Sequence, residues 1–410
     1  MTEKGESLEE QKQFLVGINY WPKETAMYWW QKFDASVVKR DFSILAEYGF
    51  HIVRTFLLWE DFQPEIRQVS VPSLNHLVQV AEAARDFKLQ ILPSFFTGHM
   101  SGLNWLPPWM LESFSGEERF PIFSVGEIRR GSIRNMYTDR EVWKAQKLLL
   151  RETTGALQGN PAIWGWDLGN EPSNLVLPPS KDAARAWLEE MVVELKRYDS
   201  DIPVTLGLHQ EDLEEDRVLG PLEVAQFCDI LSMHAYPSYA EWADGPLDEK
   251  VPLFLTHLTA WLGGKEVLLE EFGVPTEPDR GRLSEGDQKK LGQIRLMSED
   301  SAEAYYRRVF ALLRTNGYAG ALAWCFSDYE PGLWDVPPLD DHVHERFFGL
   351  FRWDGSPKEP AKLFPTLDRR FSEREPGLDW IDIRPEEHYE RPMEHLKRLY
   401  RRFKERFEEV

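Results

Sequence analysis

AIWGWDLGNEP, residues 162–172, is an apolar run that ends in a polar Asn-Glu-Pro segment. A continuously apolar run of this length is typical of a parallel strand that is covered on both faces. Similar runs recur along the chain, and segments with helical spacing of apolar residues separate them. The eight apolar runs are FLVGIN (14–19), HIVRTFLL (51–58), LQILPSFF (89–96), AIWGWDLG (162–169), PVTLGL (203–208), DILSMHAY (229–236), EVLLEEF (266–272) and GALAWCF (320–326).

The alternation of apolar runs and helical segments predicts the fold. Eight such repeats in one chain of 410 residues favour a closed (β/α)8 TIM barrel over an open, doubly wound sheet. We expect a polar N-terminal segment at 1–13, the barrel at 14–375 and a C-terminal helical extension at 376–410. The predicted helices are 35–48, 73–87, 141–158, 181–198, 248–262 and 302–316, with a weaker segment at 221–227.

The C-terminal extension carries an apolar stripe on a strongly charged helix. We expect this helix to pack on its own barrel, and a contact with a second subunit in a homo-oligomer is the alternative. The stripe over 388–410 consists of Met393, Leu396, Leu399, Tyr400, Phe403 and Phe407.

Composition restricts the classes of partner. The formal net charge of −21 disfavours nucleic acid and anionic membrane surfaces, because like charges repel. The N-terminus has no apolar core of the kind found in signal peptides, and no run approaches the roughly 20 apolar residues of a membrane span. If Met1 is the natural start, we expect a cytoplasmic protein.

Cys228 and Cys325 lie in apolar runs and are expected to be buried free thiols, although a disulfide is the alternative.

Two groups of carboxylates end two of the predicted strands. Glu171 ends the fourth strand, and Glu270 and Glu271 end the seventh. In a β/α barrel these strand ends meet at one mouth, where a half-buried carboxylate can have a raised pKa and act as a general acid. Two facing carboxylates are the minimum that glycoside hydrolysis requires. Because neighbouring residues of a strand point to opposite faces, we expect only one of Glu270 and Glu271 to face the mouth.

The segments NEP (170–172) and EFG (271–273) resemble glycoside hydrolase family 5 and its clan. The resemblance implies a retaining mechanism with Glu171 as acid/base and Glu271 as nucleophile. Glu270 occupies a position where many members have a small residue. The resemblance also implies sugar- or nucleophile-binding roles for five further residues: Arg54, Asn170, His234, Tyr236 and Trp324. We therefore expect a short separation between the two carboxylates and an ionised Glu271 beside Arg54.

Weaker candidates flank this set. Asn19 and Trp21 follow the first strand and His99 follows the third, so each is a candidate for substrate contact. Long loops are expected at 97–140, 273–300 and 327–357, and the last one, which contains Asp328, Glu330, Trp334 and Trp353, is a candidate cavity wall. No cluster has the spacing of metal ligands, so we expect neither a catalytic metal nor a cofactor.

Two further stretches of sequence indicate the class of substrate, because they resemble particular branches of the family. GINYWP (17–22) and LLWEDFQP (57–64) resemble the β-mannosidase and β-mannanase branches of the family. A polymer does not enter a cell intact, so a cytoplasmic enzyme is expected to trim short manno-oligosaccharides, as an exo-acting β-mannosidase does. The alternatives are an endo-β-mannanase, a β-glucosidase or cellulase-like enzyme, a transglycosylase, and a carbohydrate-binding barrel without catalysis.

Overall fold

The computed structural model describes residues 13–113, 118–278, 283–370 and 375–408, so most of the predicted segment 1–13 lies outside the described residues. The barrel strands are β1 (Leu15–Tyr20), β2 (Ile52–Leu58), β3 (Gln90–Thr97), β4 (Trp166–Asn170), β5 (Val204–His209), β6 (Leu231–His234), β7 (Val267–Phe272) and β8 (Gly320–Ala323). They are parallel, each pairs with its neighbour in sequence, and β8 pairs with β1. The expected (β/α)8 barrel is confirmed.

Helices form the outer layer, and five of its six main helices begin at a side chain that caps their free amides. Asp34 accepts a hydrogen bond from Ser36 N, and Ser180 accepts one from Ala183 N. The main helices are Ala35–Glu47, Val71–Asp86, Arg140–Leu157, Lys181–Tyr198, Lys250–Gly263 and Glu299–Thr315. Shorter ones are Trp59–Phe62, Glu211–Glu214, Pro221–Val224, Glu285–Leu291, Glu359–Leu363 and Pro385–His388.

Apolar side chains fill the barrel interior near the N-terminal ends of the strands. Ile52, Leu92, Leu268 and Leu322 form a buried cluster there, separate from the larger core between strands and helices. Gly17 makes room for it, because a Cβ at that position would lie 2.5 Å from Leu322 Cγ. The interior is thus a packed core at this end, as in other β/α barrels, and polar side chains occupy the opposite end.

Two long loops cover the C-terminal end of the strands. The loop after β3 contains a small sheet of strands His99–Met100, Leu103–Trp105, Ile122–Ser124 and Glu127–Arg129, and a second pair, Leu111–Ser113 with Ser132–Ile133. The loop after β8 contains the short 3-10 helices Pro331–Leu333 and Val343–Phe347. Both lie where a β/α barrel builds its active site.

The C-terminal helix, Pro392–Glu408, packs against the barrel of its own chain. Its apolar stripe is buried at Leu396, Leu399, Tyr400 and Phe403. The ring centroid of Phe254, on the outer layer of the barrel, lies 4.9 Å from that of Tyr400 and 5.6 Å from that of Phe403. The side chain of Phe407 lies outside the described residues, and a subunit contact through this helix stays a prediction.

Cys228 and Cys325 are both buried and free, as expected. Burial raises the pKa of each thiol, which keeps both protonated and unreactive. Among the described residues, no helix combines the length and the apolar character that a membrane-spanning segment requires.

Candidate active site

A cavity of about 340 Å³ lies at the carboxyl ends of the strands. This volume is at the small end of the range for ligand pockets, which suits a short ligand better than a long chain. Side chains from the ends of β4, β6 and β7 and from the loops after β3, β5 and β8 line it. The predicted residues that line it are His99, Asn170, Glu171, His234, Tyr236, Glu271 and Trp324.

Glu171 is placed in the cavity by an irregular end of β4. Between the pairs Asp167–Thr205 and Asn170–Gly207, β4 advances by one residue more than β5, which is a β-bulge. Glu171 itself has a left-handed backbone with φ of 46°. Its Oε1 lies 2.9 Å from His234 Nδ1, and Asn174 Nδ2 donates to its Oε2 at 3.0 Å. A strained backbone and a fully engaged carboxylate are typical of a functional position.

Glu271 ends β7 on the other side of the cavity. Arg54 NH1 donates to Glu271 Oε1 at 2.6 Å, and Tyr236 OH donates to Oε2 at 2.7 Å. Only 5% of the side chain is exposed. These two charge-assisted hydrogen bonds orient the carboxylate.

The expectation that Glu270 and Glu271 point to opposite faces of β7 is wrong, although only Glu271 lines the cavity. Glu270 Oε2 lies 3.2 Å from His234 Nε2 and 3.5 Å from Arg54 NH2, so its side chain also enters the barrel interior. The reason is a second bulge: between Leu269–Ala321 and Phe272–Ala323, β7 advances by one residue more than β8. A bulge cancels the strict alternation of faces, and both consecutive glutamates therefore turn inward.

Arg54 is the buried centre of the charge network. Besides Glu271, its guanidinium contacts Asp167 Oδ2 at 2.8 Å and Asn170 Oδ1 at 3.0 Å. Ser94 Oγ also donates to Asp167, which fixes that carboxylate beneath the site. One fully buried cation thus faces the carboxylates of Asp167, Glu270 and Glu271. Arg54 does not line the cavity but holds the residues that do.

His234 joins the two carboxylate groups. Its Nδ1 lies 2.9 Å from Glu171 and its Nε2 lies 3.2 Å from Glu270. Burial alone would lower the pKa of His234, but Glu271, Glu171 and Glu270 together raise it to about 10. A ring with a carboxylate at each nitrogen is an imidazolium that donates in both directions.

This imidazolium decides the charge of the acid/base candidate. Burial raises the pKa of Glu171, but His209, His234 and His99 outweigh burial and lower it below its usual range. Burial raises the pKa of Glu271, although His234 and Arg54 act against it. In this arrangement the pKa of Glu171 is thus lowered, whereas a general acid needs a raised one. A general acid at Glu171 would carry a proton, but here His234 carries it, one hydrogen bond away.

The other predicted residues that line the cavity have defined partners. Asn170 accepts from Arg54 and donates to His99 O at 3.0 Å, so its amide orientation is fixed. His99 Nε2 lies 3.9 Å from Glu171 Oε2. Trp324 is 5% exposed, and its ring lies edge-on to Phe56 with centroids 5.8 Å apart. These contacts place an amide and a flat ring beside the two carboxylates.

Besides Arg54, two predicted substrate-binding residues do not line the cavity. Asn19 is fully buried, and its amide donates to the backbone oxygens of Glu270 and Ala323 at 2.9 and 3.2 Å. Trp21 stacks on Phe56 with centroids 5.2 Å apart, inside the core. Asn19 therefore supports the site from beneath, and Trp21 is a packing residue.

The loop after β8 lines the cavity with residues other than those expected. Asp328 pairs with the buried Lys358 Nζ at 2.7 Å, and Trp353 is 46% exposed to solvent. Glu330 and Trp334 also lie outside the cavity lining. Sequence reasoning missed the residues that do line it from the long loops and the end of β5, namely Met100, Ser101, Gly102, Arg119, Phe120, His209, Gln210, Glu211, His342, His344 and Glu345. Among these residues, only His209 could have been predicted from its position, because it lies at the end of the fifth strand.

A three-residue group satisfies the geometric requirement of a metal site. Among the described residues, Glu171, His234 and Glu271 each offer one ligand atom, and these atoms lie within 4.8 Å of one another. The Glu171 and Glu271 oxygens already accept hydrogen bonds from His234, Tyr236 and Arg54. The donor set therefore fits proton transfer and charge pairing better than it fits a cation.

Comparison with known proteins identifies the class of fold. No family profile and no curated protein matches the chain. Solved structures do match, and they include two proteins designated GH5_18 and one exo-beta-1,4-mannosidase.

A GH5_18 protein from Streptomyces cattleya in complex with GlcNAc has a TM-score of 0.71 at 21% identity, over 87% of this chain and 80% of that chain. A GH5_18 protein from Bifidobacterium longum subsp. infantis has a TM-score of 0.71 at 21% identity, over 89% and 81%. An exo-beta-1,4-mannosidase from Opitutaceae bacterium strain TAV5 has a TM-score of 0.69 at 23% identity, over 89% and 61%. The fold is thus the one that the sequence motifs predicted, and two of these three neighbours carry the designation of the family that those motifs resemble.

Proposed function

We propose that this chain is a retaining β-glycoside hydrolase, with Glu171 as acid/base and Glu271 as nucleophile. One observation carries the proposal: a carboxylate oxygen of Glu171 and one of Glu271 lie within 4.8 Å of each other across the cavity. Retaining enzymes hold their carboxyl groups roughly 5–5.5 Å apart, whereas inverting enzymes need roughly 6.5–9.5 Å to admit a water. The separation supports direct attack by one carboxylate.

The partners of the two carboxylates support their division of labour. In the first step Glu271 attacks the anomeric carbon while Arg54 and Tyr236 hold it in place, and the leaving oxygen takes a proton from Glu171. Substrate that displaces water from Glu171 raises its pKa, and His234 supplies the proton across 2.9 Å. In the second step Glu171 removes a proton from water, which attacks the glycosyl ester and releases the sugar with retained configuration.

We further propose that the substrate is a short β-mannoside cleaved from its non-reducing end. The small cavity supports a short ligand. The structural neighbours include an exo-beta-1,4-mannosidase, and a variant of the Streptomyces cattleya protein is in complex with Manb1-4GlcNAc. A mannosyl residue over Trp324 and a sugar leaving group beside Glu171 is the arrangement that we propose for this chain. The cytoplasmic location and the absence of nucleic-acid and membrane partners stay predictions.

The test is turnover of nitrophenyl β-mannoside, nitrophenyl β-glucoside and manno-oligosaccharides by the purified protein, with product sizes resolved. We expect the β-mannoside to be preferred and mannose to be released stepwise from oligosaccharides. Proton NMR of the first product should show β-mannose. First-formed α-mannose would contradict retention, internal cleavage would favour an endo-mannanase, and transfer products at high acceptor concentration would favour a transglycosylase. If none of these glycosides is turned over, the proposal that the chain is a glycoside hydrolase is contradicted.

A further inference from the structure

Two loops meet over one side of the cavity. Ser101, after β3, donates from its hydroxyl to Glu345 Oε2 at 3.1 Å, and Glu345 belongs to the loop after β8. Next to this bond, Gly102 has φ of +77°, and a Cβ there would lie 2.2 Å from His342 Nε2. We call these residues, Ser101, Gly102, His342 and Glu345, the loop contact.

The loop contact has a defined position relative to Glu171 around the barrel. β8, β1, β2 and β3 are consecutive around the barrel, so a contact between the loops after β8 and β3 spans that side. Glu171 ends β4, and the leaving group must lie beside it because it receives the proton there. Asn174, Gln210 and Glu211 line that opposite side. A sugar bound with its leaving group on that side has its non-reducing end toward the loop contact.

Glu345 is a third carboxyl group in this small cavity. It is 8% exposed and borders the cavity together with Glu171 and Glu271. Burial first, and then Glu271 and Glu171, raise the pKa of Glu345 to about 7 against the opposing effect of hydrogen bonds from Ser101 and Trp324. Its Oε1 lies 3.5 Å from His344 Nε2. Because a carboxylate has about four acceptor positions, Glu345 keeps capacity for a ligand hydroxyl.

We propose that Glu345 accepts a hydrogen bond from the 4-hydroxyl of the terminal sugar and so determines cleavage from the non-reducing end. The proposal rests on the proposed function and adds a residue that the two-carboxylate chemistry does not require. The 4-hydroxyl lies across the ring from the anomeric carbon, on the side that faces the loop contact. A further sugar attached at that oxygen would remove the donated proton and meet Glu345 and His342.

The alternative is that Glu345 only supports Trp324 and Ser101. The two roles differ in their dependence on the substrate. Loss of support impairs all substrates alike, whereas loss of a hydrogen bond impairs only substrates that carry the 4-hydroxyl. The probes are nitrophenyl β-mannoside, its 4-deoxy analogue and its 2-deoxy analogue, which lacks the hydroxyl that the family resemblance assigns to Asn170.

The experiment measures kcat/KM for the three probes with wild type, Glu345→Gln and Glu345→Ala. We expect wild type to prefer the 4-hydroxyl by about 10- to 100-fold, the range for a hydrogen bond to a charged group. In Glu345→Ala the preference for the 4-hydroxyl should fall to within about threefold of unity. In Glu345→Gln it should fall by about tenfold. The preference for the 2-hydroxyl should not change in either variant. Glu330→Gln is the control, because Glu330 lies in the same loop, outside the cavity lining, and its side chain is 40% exposed.

Each outcome decides between the proposals. An unchanged 4-hydroxyl preference in both Glu345 variants, with wild type active, overturns the role of Glu345 and leaves the glycosidase proposal standing. Wild type that hydrolyses none of the mannosides overturns both. Circular dichroism and the unfolding midpoint report whether each variant is folded, and Glu345→Gln, which keeps the shape of the side chain, decides if Glu345→Ala does not fold.

Discussion

Glu270 and Glu271 are consecutive residues of β7, and both side chains reach the guanidinium of Arg54, at 3.5 and 2.6 Å. They nevertheless face different partners. Glu271 is bound by Tyr236 and borders the cavity, whereas Glu270 is fully buried beneath it and contacts His234. The strand bulge thus adds a second carboxylate to the site without adding a second nucleophile, because only Glu271 borders the cavity.

This relationship predicts unequal effects of substitution at the two positions. Glu271→Gly removes the nucleophile, so kcat/KM should fall by roughly 10⁴-fold or more. Glu270→Gln keeps the nucleophile but weakens the charge on His234, and we expect a loss of roughly 10- to 100-fold. Azide should restore turnover of an activated β-glycoside only in Glu271→Gly, with the α-glycosyl azide as product. Rescue confined to a Glu270→Gly variant would reverse the assignment.

Glu171 should be tested through the leaving group. Glu171→Gln cannot protonate the glycosidic oxygen, so kcat/KM for poor leaving groups such as a sugar should fall by roughly 10³-fold. A dinitrophenyl leaving group needs no proton and should lose far less in the first step. Asn174→Ala, which removes the amide that donates to Glu171 Oε2, is the milder comparison. Equal losses for good and poor leaving groups in Glu171→Gln would contradict the role of acid.

His234 predicts a pH dependence of stability. Its pKa is raised from 6.5 to about 10, so its contribution to the free energy of unfolding is fully present below about pH 6.5 and is lost as pH rises toward 10. His234→Asn should therefore flatten the decline in stability between pH 6.5 and 10. Chemical denaturation across this range measures the slope.

His257 provides the control for this measurement. Burial lowers its pKa to about 3, so it opposes folding as pH falls below 6.5 and has no effect on the alkaline side. His257→Asn should flatten the acid limb and leave the slope between pH 6.5 and 10 as in wild type. An alkaline slope that is the same in His234→Asn and wild type would show that His234 is not charged in the folded protein.

The fold was predictable because the apolar runs and the intervening helical periodicity are local signals, repeated eight times. Several cavity residues were predictable for the same reason: Asn170, Glu171, His234 and Glu271 lie at or beside strand ends, which a β/α barrel brings together. Glu270 was misjudged because alternation assumes a regular strand, and the bulge that cancels it has no signature in VLLEEF. Glu345 and Arg119 were missed because loop positions have no period from which to infer direction.

Gly102 and Gly126 form a matched pair of glycines with which the loop contact can be tested. Both glycines lie in the loop after β3, with φ of +77° and +78°, so an alanine at either position should cost about 1–2 kcal/mol of backbone strain. A Cβ at Gly126 has nothing within 4 Å, whereas one at Gly102 would lie 2.2 Å from His342 Nε2. His342 can rotate away, so the two variants should unfold at similar denaturant concentrations. Displacement of the ring disturbs the loop contact, and Gly102→Ala alone should lower kcat/KM for a β-mannoside by roughly tenfold, an effect of about 1.4 kcal/mol. Equal kcat/KM for the two variants would show that contact between these loops does not shape the cavity.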